Sequence, residues 1–194
     1  QADEVERGGT GYCISVVNGK EVFDNSKDKP LPKEIEHIYP DYSLYPEYDF
    51  AAGFLTRGCP RGCDFCIVAK KEGRCSQQVA DLSEFWRGQK EIKLLDPNLL
   101  ACKEHEQILI QLFESKANID FTQGLDIRLI NPDNIQLLNK IKTKRLHFAW
   151  DNPKQDLTKY FKTFSDYTCI KDSARKVVYV LTNFNSTIEE DLYR

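Results

Sequence analysis

Phe50-Ala51-Ala52-Gly53-Phe54-Leu55-Thr56-Arg57-Gly58-Cys59-Pro60-Arg61-Gly62-Cys63-Asp64-Phe65-Cys66 runs from a short apolar segment into three cysteines at C-x3-C-x2-C spacing. The run Phe50 to Leu55 has the length and residue types of a buried strand. After it, Gly58, Pro60 and Gly62 let the backbone curl, so three thiolates can converge on a soft metal centre with backbone N–H groups close to sulfur. The rest of the chain reads as scaffold for this loop.

The fourth ligand decides which centre. A structural zinc site closes with four ligands and usually shows a second C-x2-C or H-x3-H pair. No such pair is present. Cys75 follows nine residues after Cys66 in a polar stretch, and Cys13, Cys102 and Cys169 stand alone. Three cysteines on a four-iron cluster leave one iron without a protein ligand, free to bind a chelating small molecule.

The segment resembles the signature of the radical S-adenosylmethionine (SAM) superfamily, C-x3-C-x-aromatic-C, with Phe65 at the aromatic position. The resemblance implies a [4Fe-4S] cluster held by Cys59, Cys63 and Cys66, with SAM chelated at the fourth iron and Phe65 near its adenine. It implies reductive cleavage of SAM to methionine and a 5′-deoxyadenosyl radical, fed by an electron donor such as flavodoxin or ferredoxin. The alternative from another class is a non-catalytic iron-sulfur or zinc protein serving electron transfer or scaffolding. A coordinating Cys75 would mark that alternative.

Composition agrees with one main domain. The 194 residues carry 27 Lys and Arg against 30 Asp and Glu, a net charge of −3. This charge is spread along the chain, so there is no basic footprint of a dedicated nucleic-acid-binding surface, although an RNA substrate stays open. Seven cysteines, three of them clustered, do not read as a disulfide framework. Without a signal peptide or long apolar run, a reducing cytoplasm and no membrane partner are expected. The lack of methionine and the start at Gln1 suggest a fragment.

Residues 1–48 read as an extension, or the remnant of an upstream domain plus a linker. Gly8-Gly9-Thr10-Gly11-Tyr12 is a turn or, less well supported, a phosphate loop, since neither a Lys-Ser/Thr pair nor a preceding strand completes such a motif. It also resembles the end of the cobalamin-binding-like domain found upstream in some radical SAM families. Asn25 to Pro46, rich in Pro, Lys, Asp and Tyr, reads as an extended segment wrapped on a domain surface.

Residues 49–194 alternate short apolar runs with helix-compatible stretches, which predicts βα units and a parallel sheet. Strands are expected at Phe50 to Leu55, Glu91 to Leu95, Ile119 to Thr122, Arg145 to Trp150 and Val177 to Leu181. Helices are expected from Asp81, over Lys103 to Ser115, over Pro132 to Ile141, and from Ile188. The fold class is therefore α/β. By the resemblance, it is a partial (β/α)6 TIM-like barrel that stops after its fifth strand.

Each strand runs into Asp, Asn, Gln or Arg, and in βα barrels functional groups gather at the carboxyl ends of the strands. Asp96 and Asn98 follow the second strand where the family often contacts the SAM amino group, though the glycine-glycine-glutamate form is absent. A turn with Asp96 as helix cap is the other reading. Gln123, Asp126 and Arg128 follow the third strand. Gln123 and Arg128 are candidate contacts to SAM or substrate, Arg128 as a bidentate clamp on a carboxylate or as an ion-pair partner of Asp126. Asp151, Asn152, Asn183 and Asn185 are weaker candidates. His147 reads as a satisfied core or barrel-lining histidine before an acid or base. No residue is assigned as catalytic, and the substrate is not legible.

Overall fold

The computed structural model describes Val5 and residues 13–194. The Gly8 to Tyr12 stretch lies outside them, so the readings attached to it are not addressed. From residue 13 the chain opens on a hairpin: β1 (Ile14–Val17) pairs antiparallel with β2 (Lys20–Phe23). Asn18 and Gly19 both sit at positive φ, 51° and 73°, as a two-residue primed turn requires. The following segment holds a 3-10 turn at Asn25–Lys27, the short helix α1 (Lys33–Glu36) and a second 3-10 turn at Tyr42–Leu44.

The second turn aims the Tyr42 hydroxyl at the edge of β3 (Phe50–Gly53), where it accepts from Ala52 N at 3.1 Å and donates to Phe85 O at 2.8 Å. The expected wrapping segment thus satisfies backbone groups that an edge strand leaves open. The strand is shorter than expected. Beyond it, β4 (Thr56–Arg57) leaves the sheet and pairs with β5 (Gln77–Gln78), closing the cysteine loop, which contains α2 (Val68–Lys71), into a two-stranded neck.

β6 (Glu91–Leu94), β7 (Asn118–Phe121), β8 (Thr143–Ala149) and β9 (Lys176–Tyr179) join β3 in one parallel sheet of order β3-β6-β7-β8-β9. Between them run α3 (His105–Ser115), α4 (Pro132–Lys140) and α5 (Thr158–Tyr167), and α6 (Ile188–Tyr193) follows β9. The fold is α/β, with all five expected strands in sequential order.

Strand alternation explains the layering. Ile92, Leu94, Ile119, Phe121, Leu146 and Phe148 are each at most 2% exposed and share a core with Ile108, Leu109, Leu112, Ile135, Leu138 and Phe164 of the helices. Burying each such side chain contributes roughly 1.5–3 kcal/mol before entropy is counted. The opposite face is polar and carries Lys93, Asp120 and His147. α4 starts where the sequence says it should: Asn131 accepts from Asp133 N and Asn134 N, and Pro132 occupies the first helical position. α3 ends at Lys116, which takes a left-handed φ of 57°.

One expected helix is not formed. Asp81 does cap a start, through a box with Glu84, but the segment closes after the 3-10 turn Leu82–Glu84. Gly88 at φ 103° turns the chain toward β6, leaving too few residues to propagate a helix past its costly first turn. No helix among the described residues is long and apolar enough to cross a membrane.

Candidate cofactor site at the strand ends

The cysteine loop leaves β4 through Gly58, at φ 86°, where an added Cβ would lie 2.1 Å from the Cys75 carbonyl oxygen. Only glycine permits both that backbone and that approach. Gly62, at φ 59°, lets the loop turn again beneath the Arg74 guanidinium. Cys59 N donates to Gly73 O at 3.1 Å, and Cys66 N donates to Cys63 O at 2.9 Å. Glu72 braces the neck, accepting from Arg57 Nη1 at 3.0 Å and from Gly58 N at 3.2 Å.

Cys59 and Cys66 are half-buried and Cys63 is exposed. Burial pushes the Cys63 thiol up, the negative charges of Cys66 and Cys59 push it further, and Arg128 pulls it back. Among the described residues no three His, Cys, Asp or Glu side chains close on a point that would hold a metal ion, so the loop is three separate thiols around one turn.

The donor set nonetheless suits an iron–sulfur group: three soft ligands and a hydrogen-bond donor aimed at sulfur. Asn98 supplies the donor, its Nδ2 lying 3.5 Å from Cys59 Sγ. Asn98 is 3% exposed and its Oδ1 has no partner among the described residues. A buried amide oriented this way needs a reason beyond packing.

Asp96 does something neither sequence reading anticipates. Its Oδ1 accepts from Leu55 N at 3.1 Å, Thr56 N at 2.5 Å and Thr56 Oγ1 at 2.7 Å, fastening the end of β6 to the start of the cysteine neck. It caps no helix; the 3-10 turn after it spans Leu99–Ala101, with Asn98 at its N-cap position. Asp96 Oδ2 is buried without a hydrogen-bond partner among the described residues.

Burial raises the Asp96 carboxyl to about 6, against the pull of the three Thr56 and Leu55 donors. With the folded value raised, its contribution to stability is complete below about pH 4, the unfolded carboxyl range, and is lost as pH rises to about 6. The chain should lose about 3 kcal/mol across that window. Asp96→Asn, which keeps an acceptor for the same donors, should flatten the profile measured by urea denaturation. An unchanged pH slope in D96N would contradict this assignment.

The third strand end supplies an ion-pair latch. Asp126 accepts from Arg128 Nε at 2.6 Å and Nη2 at 3.0 Å, and Arg61 Nε reaches its other side from within the cysteine loop. Arg128 Nη1 continues to Gln155 Oε1 at 2.8 Å. Burial raises the Asp126 carboxyl, but the hydrogen bonds and charges of Arg128 and Arg61 outweigh it and hold it below the usual range. The ion-pair reading of Arg128 is the one realised, with its guanidinium fork committed to Asp126. Gln123 is exposed and is not among the residues lining the cavity described next.

A cavity of about 510 Å³ opens over these strand ends, lined among others by Cys63, Phe65, Arg128, Asp151, Phe184 and Asn185. Phe65 meets Phe184 edge to face, with centroids 5.6 Å apart, so the cysteine loop and the segment after β9 enclose it jointly. Asp151 accepts from Leu181 N at 3.1 Å, and burial raises its carboxyl.

Two contributors escape sequence reasoning. Phe184 lacks polar character and carries no motif. Arg194 has a guanidinium only 1% exposed that donates to Trp150 O, Asp151 O and Leu181 O at 3.0, 2.7 and 3.0 Å, tying the ends of β8 and β9 together. Its pairing with Asp191 three residues back, at 2.5 Å, is a local signal, but the three carbonyls it joins across the strand ends are not marked in the sequence. Compared with the models of known protein families and with the curated proteins, the chain matches none.

Proposed function

We propose that the chain is the catalytic core of a radical SAM enzyme, its parallel sheet forming five strands of a partial barrel. The observation that carries this reading is the C-x3-C-x-aromatic-C loop placed at the carboxyl end of the first sheet strand, with Cys63 and Phe65 facing the cavity. Cys59, Cys63 and Cys66 would hold a [4Fe-4S] cluster and leave one iron for SAM. When bound, the cluster supplies the electron that cleaves SAM to methionine and a 5′-deoxyadenosyl radical.

The chain's own residues bind and orient. Asn98 donates to the Cys59 sulfur, Asp96 and Glu72 fix the neck of the loop, and the Arg61–Asp126–Arg128 latch holds its far side. Phe65 and Phe184 offer aromatic walls to an adenine and keep water from the space between them. Asp151 and Asn185 present polar groups to the ribose or to substrate. The electron donor is a flavodoxin or ferredoxin and the compartment is the cytoplasm.

A non-catalytic iron–sulfur or zinc protein is the competing reading, and Cys75 is its natural fourth ligand, because the Cys75 backbone lies against Gly58. The two readings part on SAM. Phe65→Ala in the reconstituted chain should weaken SAM binding by at least about tenfold, the loss of one aromatic contact, while iron content stays unchanged. Calorimetric titration with SAM checks this. Equal affinities for wild type and F65A would remove the adenine contact.

A further inference from the structure

On the sheet face away from the helices, Ala52, Lys93, Asp120 and Arg145 form one cross-strand row. By alternation, His147 and Ala149 follow Arg145 on the same side of β8. Ala149 lines the cavity, and His147 is the next residue down that face, about 6–7 Å below it.

His147 is held in one orientation. Its ring stacks on Tyr179 of β9, centroids 5.2 Å apart and planes 5° from parallel. Its Nδ1 is 3.0 Å from Phe121 O, which can only accept, so Nδ1 carries a hydrogen, and in the neutral ring the lone pair is then on Nε2. Nε2 has no hydrogen-bond partner among the described residues.

Asp120 lies behind it. The Asp120 residue is 6% exposed, its Oδ1 has no hydrogen-bond partner among the described residues, and that oxygen is 3.7 Å from His147 Nδ1. A carboxylate and an imidazole on adjacent buried strand positions, incompletely partnered, cost stability that a pair of apolar residues would not. The arrangement does have a chemical use: Asp120 places negative charge beside the imidazolium that forms when Nε2 takes a proton. The other charged groups of this face are engaged or peripheral. Lys93 lies over the Phe50 ring at 3.7 Å, Glu91 pairs with Lys144 at 2.5 Å, and Arg145 is exposed.

We propose that this face, which continues down β8 from Ala149 of the cavity lining, is the floor of the substrate site, and that His147 Nε2 accepts the hydrogen of a substrate hydroxyl or amine seated there. Where the proton transfers, the substrate O–H or N–H bond breaks heterolytically and an Nε2–H bond forms. No electron changes hands. The floor rests on the cofactor reading only in placing substrate beneath SAM; its geometry belongs to the sheet.

The test uses the full chain labelled with 15N, whose three histidines make the imidazole spectrum assignable through His147→Gln. Ethanolamine, glycerol and uridine are the probes. The expected result is the Nδ1–H tautomer in the free chain and an Nε2 resonance of His147 that moves with at least one probe. The resonances of His37 and His105 should stay in place. H147Q should bind that probe at least about tenfold more weakly while its SAM affinity stays within about twofold of wild type.

An Nε2–H tautomer, or an Nε2 resonance indifferent to all three probes, overturns the proposal. Both are read on wild type, so a variant that fails to fold decides nothing by itself. If Nε2 responds while the reconstituted chain ignores SAM, the cofactor reading fails and the floor stands. If SAM binds and Nε2 is silent, the floor fails alone.

Discussion

Alanine at Cys59, Cys63 or Cys66 should each reduce the iron and sulfide of the anaerobically reconstituted chain from roughly four per chain to a trace, while alanine at Cys75 leaves the content unchanged. The three loop cysteines share one turn, and the Cys63 thiol responds to the charges of Cys59 and Cys66. Removing any one leaves two thiolates, too few to hold a cubane against dissociation. Cys75 is close in backbone, yet its thiol sits 3.8 Å from the neighbouring Ser76 carbonyl. Iron and sulfide assays with the absorption spectrum check the series. Loss in C75A equal to that in C63A would mean a fourth protein ligand, and with it the electron-transfer or scaffold reading.

Asp126→Ala should destabilise the chain by about 3 kcal/mol and loosen the cysteine loop. Its side chain is 4% exposed, whereas those of Arg61 and Arg128 are 33% and 25% exposed. Deleting the carboxylate strands two guanidinium groups at one point, and their partial access to water keeps the cost at the lower end for a broken buried pair. Because the Asp126 carboxyl is held below its usual range, the stability it contributes is present at neutral pH. It is lost as pH falls through the folded value, below about 4.

Arg61 lies between Cys59 and Cys63, so the same substitution should lower cluster retention and weaken SAM binding by more than about tenfold. Asp126→Asn, which keeps an acceptor, should fall between. Urea denaturation and iron retention check both effects. A wild-type denaturation midpoint in D126A would show that the latch contributes nothing.

The parallel sheet was legible because each strand is a short apolar run closed by polar residues and separated from the next by a helical period, a pattern that needs no long-range knowledge. Phe50, Glu91, Ile119, Arg145 and Val177 all lie in the expected strands. The β1–β2 hairpin was also written locally, in Val17-Asn18-Gly19-Lys20, and a search for primed turns would have found it. The β4–β5 neck was not: two residues a side carry no periodicity, and their pairing depends on Gly58 approaching Cys75.

At the site, residue types were readable and their partners were not. Asp126 was placed near Arg128, two positions away, but Arg61 joins it across 65 residues, a contact only the folded sheet creates. Asp96 was expected to face a ligand or cap a helix. The departure of β4 from the sheet leaves Leu55 and Thr56 with N–H groups to satisfy, and Asp96 is the acceptor within reach. His147 was read as a core or barrel-lining histidine: the ring is buried and packed on Tyr179, and Nδ1 is held by Phe121 O.

The most direct test of the central claim is electron paramagnetic resonance of the reduced, anaerobically reconstituted chain, recorded with and without SAM. The account predicts a four-iron cluster signal that changes shape when SAM is added, because an iron without a protein ligand accepts its amino and carboxylate groups. A four-iron signal identical in the presence and absence of SAM would contradict it.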